Sequence, residues 1–208
     1  MISIQSISNS RAEWLASKIP NDRYPTKEDQ IEVYTYVIGG VLGETSNIIL
    51  LISLALILGV LTNAIFITLT FTSLRVIAGG YHFKTHLRCA TISLIQFIGC
   101  ALVVQYTHQY WTYVNIYCLL IFSIFMALYI IIRYIPRDTP NKPITEQIQI
   151  NKFKRWSLFY ISGWIVTMSI FLLLNIKIIV IASCFGLLLE LFSISELGYQ
   201  SFYARLDK

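Results

Sequence analysis

The segment RVIAGGYHFKTHLRC, residues 75–89, holds two of the three histidines, one of the four cysteines and the basic residues Arg75, Lys84 and Arg88. These types can do nucleophilic chemistry. Cysteine attacks as a thiolate, and a free thiol, with a pKa of ~8.5, is mostly protonated in the cell. A nearby histidine takes the proton, and Arg or Lys steadies the anion. His82 and His86 precede Cys89, so every part of a Cys–His nucleophile is at hand. A basic loop holding a packed cysteine has the same residues, and catalytic parts must meet in space as well as in sequence.

Spacing restricts how they could meet. His82 and Cys89 are seven residues apart. On a straight helix that is one face but ~10.5 Å of rise, against ~3 Å for hydrogen-bond contact. If His82 is the base, no single straight helix runs through both residues. Gly79 and Gly80 suit a broken or looped approach, because glycine adopts backbone angles that other residues avoid. His86, three residues before Cys89, would be its neighbour on a regular helix. Spacing leaves both histidines open.

The elements around this segment are apolar. Hydrophobic residues make up 56% of the 208 and charged residues 13%, against about 25% charged in a soluble domain. Mean hydropathy is +0.64. The composition is that of an all-α polytopic membrane protein. The net charge of +5 is then read as topology, and no basic, aromatic-studded surface suggests nucleic acid as a partner. Residues 1–30 contain no apolar stretch of the signal-peptide kind.

A span needs about 20 mainly apolar residues. Ala90 to Ile132, 43 residues without Lys, Arg, Asp or Glu, make two spans with a turn at 105–111. Trp156 to about Phe202 make another pair hinged near 175–177. An earlier pair turns at 59–63, and its second member, 64 to about 78, is short, as a tilted, kinked or partly re-entrant segment would be. The total is about six hydrophobic segments, four of them clear spans. The N-terminal segment sets Ile4, Ile7, Trp14 and Leu15 near one helical face. Such an amphipathic helix either lies on the membrane surface or packs on neighbouring loops.

If the three hairpins enter and leave on one side, that side holds 15 of the 16 Lys and Arg residues, with only Lys177 opposite. The positive-inside rule then expects both termini, the 75–89 segment and the basic 133–155 loop on the cytoplasmic side. Glu44 and Glu190 fall within apolar segments, where ionisable groups usually face the protein interior, and either could bind His82 or a basic residue. Cys100, Cys118 and Cys184 sit in apolar runs as small packing residues. With no CxxC pair, and with His82, His86 and Cys89 lacking a nearby fourth ligand, no metal is expected.

The pattern R-x-x-x-G-G-Y-H-F-K-T-H-L-R-C resembles the signature of the AgrB family, membrane cysteine endopeptidases of Gram-positive quorum sensing. A second stretch, PRDTPNKPI at 136–144, resembles that family's Pro-rich loop. The resemblance implies one integral-membrane peptidase domain over 1–208. It assigns catalysis to His82 and Cys89, contact with substrate to Gly80 and Lys142, either contact with the substrate's acidic part or orientation of the segment to Arg75, and no cofactor. The implied partner is an AgrD-like propeptide with an acidic tail, alongside the lipid bilayer and a second copy in a homodimer. The implied reaction removes the tail through a thioester and closes the remainder into a thiolactone or lactone. The competing reading from another class is a peptide exporter or receptor without covalent chemistry.

Overall fold

A computed structural model of the chain describes residues 4–19, 26–80, 86–136, 146–198 and 200–201. Among the described residues there are seven α-helices, one 3₁₀ turn and no strand. Six of the helices are long and apolar enough to cross a membrane. The chain is an all-α polytopic membrane protein, as its composition implies. It divides into two compact units, residues 1–53 and 54–208.

In the first unit, α1 covers Ile4–Lys18 and α2 starts at Lys27, running on to Ile57. Thr26 and Asp29 start α2 reciprocally. The Thr26 hydroxyl accepts the Asp29 N–H at 3.1 Å, and the Asp29 carboxylate accepts the Thr26 N–H at 3.2 Å. Each satisfies a backbone donor that a helix end leaves without an acceptor. Buried Gln30 ties the two helices by donating to the Ile19 carbonyl at 2.7 Å. α1 buries a stripe of small residues. Ser8, Ala12 and Ala16 are buried, while Ile7 and Trp14 are exposed. Ser8 lies beside Gly39 of α2. Residues four apart make a stripe on a helix, and small ones allow close approach, the rule for helices packing where lipid competes.

The second unit holds five of the spans. They are α3 (Leu61–Ala78), α4 (His86–Thr107, followed by a 3₁₀ turn at His108–Tyr110), α5 (Tyr113–Tyr134), α6 (Gln147–Leu173) and α7 (Lys177–Ile194). The connections fall close to where sequence puts them. Gly59, at φ 68°, turns the chain before α3. Thr112 caps α5 by accepting the Asn115 N–H at 3.3 Å. Asn175, at φ 60°, separates α6 from α7. The short segment resolves simply. α3 begins at Leu61, earlier than expected, and its 18 residues form one continuous helix. That gives ~27 Å of length, close to the ~30 Å hydrocarbon core.

α7 is the centre of this unit and packs on α3, α4, α5 and α6. Val180, Ile181, Ala182, Cys184, Leu187, Leu191 and Ile194 are all buried. Gly186 sets the closest approach. A Cβ there would lie 2.4 Å from the Ile67 carbonyl oxygen of α3, so only glycine lets the two backbones touch. The cysteines differ from one another: Cys184 is buried and Cys100 half-buried, but Cys118, expected to pack inside, is exposed on α5. A thiol is apolar enough for a position facing lipid, so an apolar run does not imply interior packing.

Candidate functional site

α3 is tied to its neighbours at both ends, to α4 at one and to α7 at the other. At one end, α3 opens with Asn63, whose amide donates to Gln105 Oε1 of α4 at 3.0 Å. A cavity of about 330 Å³ lies beside this pair, lined by Val60, Asn63, Gln105 and Ile178 among others, and no titratable side chain faces it. That leaves it without a titratable acid or base to activate a nucleophile.

The other end is charged. Arg75, in the last turn of α3, donates from Nη1 to Glu190 Oε2 of α7 at 3.3 Å and to Ser193 Oγ at 3.1 Å. Ser193 Oγ donates to the same carboxylate oxygen at 3.2 Å. Glu190 has no exposed side-chain surface and Arg75 only 17%. An ion pair withdrawn from water in this way needs its hydrogen bonds made, because each charge loses its hydration. Ser193 and Glu190 are three residues apart and so share a helix face. The Arg75 guanidinium also sits 5.4 Å from the centre of the Phe71 ring. Phe71 in turn meets Phe97 of α4 edge-on, with ring centres 5.0 Å apart. Glu190, Arg75, Phe71 and Phe97 thus join α7, α3 and α4.

The chain leaves α3 over this cluster. The Gly79 N–H donates to the Arg75 carbonyl at 3.0 Å. Gly79 then takes φ 76° and ψ −163°, a region essentially reserved for glycine. Gly80 is packed for a different reason. A Cβ there would lie 2.8 Å from Arg75 Nη1, 3.0 Å from Ser193 Oγ and 3.1 Å from Glu190 Oε1. The two glycines that sequence singled out are therefore needed for a turn pressed against an ion pair.

Cys89 is a free, half-buried thiol in the first turn of α4. The leading N–H groups of a helix have no acceptor within it, and the helix dipole is positive at this end, so negative charge is favoured nearby. His86 is the first residue of α4, three positions before Cys89. His82, Lys84 and Lys142, and the side chain of His86, lie outside the described residues. Of the two acidic residues that the sequence sets within apolar segments, Glu190 is buried and paired with a basic residue, whereas Glu44 is exposed on α2. Ser193 was not singled out by sequence. Its position three residues after a charge buried in an apolar helix was the available signal. Among the described residues no group of three or more His, Cys, Asp or Glu could hold a metal ion.

Fold and site together define a polytopic helical membrane protein with a cysteine at the start of one span and a buried Arg–Glu pair under a Gly-Gly turn. Residues 8–194 match the accessory gene regulator B family, and the chain belongs to that family. It is 33% identical over 104 residues to accessory gene regulator protein B of Staphylococcus intermedius, a stretch covering 50% of this chain and 52% of that relative. The chain thus spans about half the length of this relative. No solved structure matches the chain.

Proposed function

We propose that the protein is a membrane-embedded cysteine endopeptidase that matures a signalling propeptide of the AgrD type. The observation that carries this is the family match, which covers both Cys89 and the Gly-Gly turn before it. Cys89 Sγ attacks the scissile carbonyl, and His82 accepts the thiol proton. The carbon–nitrogen bond breaks, His82 returns the proton to the leaving amine, and the acidic tail departs. The acyl group is then held as a thioester on Cys89. A thiol or hydroxyl within the peptide attacks that thioester, freeing Cys89 and closing a thiolactone or lactone. Exchange between two thioesters conserves the bond type, so the acyl group stays activated provided that water is excluded. Lys142 meets the acidic tail through a contact weakened by salt.

The six candidate spans are an even number, which supports an arrangement with both ends of the chain on one side. The 15-to-1 distribution of Lys and Arg makes that side the cytoplasm.

The test is mass spectrometry of the purified protein mixed with its propeptide. Wild type is expected to gain the mass of the leader plus ring segment, in a form released by hydroxylamine. Cys89→Ser is expected to gain nothing, because the hydroxyl lacks the thiol's acidity and nucleophilicity. Processing by Cys89→Ser at the wild-type rate would end this reading. His82→Ala is expected to abolish tail removal and His86→Ala to retain much of it; the reverse result transfers the base role to His86.

A further inference from the structure

We infer that Glu190 is a positioning residue, which holds Arg75 and thereby the Gly79–Gly80 turn from which the Cys89 segment departs. The inference rests on the endopeptidase reading only for what that segment does.

Three observations converge on it. Glu190 is fully buried and spends one oxygen, Oε2, on both Arg75 and Ser193. Its other oxygen, Oε1, has no hydrogen-bond partner among the described residues and lies 3.1 Å from where a Cβ on Gly80 would be. The guanidinium, the serine hydroxyl and the carboxylate thus together crowd the space that a side chain on Gly80 would need. Arg75 is also stacked on Phe71, which meets Phe97 of the helix that begins with the Cys89 turn. A guanidinium fixed by a carboxylate, a hydroxyl and a ring has one orientation. The backbone lying against it inherits that orientation, since packed groups shift together or not at all.

This assigns Arg75 differently from a substrate contact. A residue that binds the propeptide's acidic part changes how much substrate is needed. A residue that aims the nucleophile changes how fast it reacts.

Two measurements on the full chain in lipid nanodiscs separate these roles. The first needs no propeptide: alkylation of Cys89 by iodoacetamide, followed by peptide mass spectrometry, with a monodisperse size-exclusion profile as the check for an intact fold. Glu190→Gln and Arg75→Gln are each expected to slow Cys89 alkylation about tenfold or more. The double variant is expected to be no slower, because the two residues act as one unit. The variants' size-exclusion profiles should match that of wild type. The second measurement is acylation by propeptide, where the maximal rate should fall while the half-saturating concentration holds. Ser193→Ala removes one hydroxyl and is the milder variant, expected to slow Cys89 alkylation in the same direction. It decides the matter if Glu190→Gln does not fold.

Wild-type Cys89 alkylation in Glu190→Gln, or in Ser193→Ala where that variant must decide, overturns the inference. So does an Arg75→Gln variant that only raises the half-saturating concentration. Failure of wild type to form any acyl adduct would instead remove the endopeptidase reading, and the alkylation result would still decide whether Glu190 positions the segment.

Discussion

The two ends of α3 are tied to the bundle by different chemistry. One end uses a neutral amide pair, Asn63 with Gln105. The other uses a guanidinium, a carboxylate and a hydroxyl, Arg75 with Glu190 and Ser193. Either would join helices. A neutral pair does so cheaply, because no ion is dehydrated. The charged cluster is the costlier device, and it stands where the chain turns through Gly79 and Gly80 toward Cys89. The difference teaches that holding helices together does not account for the charges, whereas orienting a departing backbone does.

Breaking the helix contact midway between the two ends should have the largest effect. In Gly186→Leu a side chain must enter where even a Cβ lies 2.4 Å from the Ile67 carbonyl oxygen. Backbone cannot yield as a flexible side chain does. The variant is expected to lose more than about 3 kcal/mol and to fail to yield folded monodisperse protein in detergent. Normal thermal unfolding of Gly186→Leu would show that α3 and α7 do not touch there.

The charged end comes next. Glu190→Ala leaves Arg75 facing a cavity without its counter-charge, a change costing about 3–5 kcal/mol for buried pairs. Denaturant unfolding in mixed micelles should show it, and Glu190→Gln should cost clearly less because shape and a hydrogen bond survive. Equal losses for the two variants would mean that packing, not charge, stabilises this end.

The neutral end should respond least. Asn63→Ala removes a hydrogen bond between helices, where the average contribution within membranes is about 0.6 kcal/mol. Propeptide processing should be unchanged, since the amide pair is at the far end of α3 from Arg75. A loss at Asn63 as large as at Glu190 would remove the contrast between the two ends.

Much of this was legible in sequence. Six helices, their turns, the Gly-Gly break and the oddity of a glutamate within an apolar segment all follow from residue order. What misled was burial. α5 has the higher mean hydropathy, 2.4 against 2.1 for α7. Yet α5 exposes Val114, Tyr117, Ile121, Phe122 and Phe125, while most of α7 is buried. In water, apolar periodicity marks the interior. In lipid both faces are apolar, so the interior is marked by residues that allow backbones to meet, such as Gly186 and Ala182, or that need a partner, such as Glu190. The same reason explains why Ser8, Ala12 and Ala16 form the buried stripe of α1 in place of Ile7 and Trp14.

By itself, the sequence determined that the chain is a helical membrane protein, about how many spans it has, and which fifteen residues gather two histidines, a cysteine and three basic residues, because these depend on local composition and spacing. Only the tertiary structure decided that Glu190, and not Glu44, pairs with Arg75, 115 residues away in the chain. A carboxylate in an apolar helix announces that it needs a partner, but which one it finds depends on the helix brought against it, and Gly186 brings α3 there.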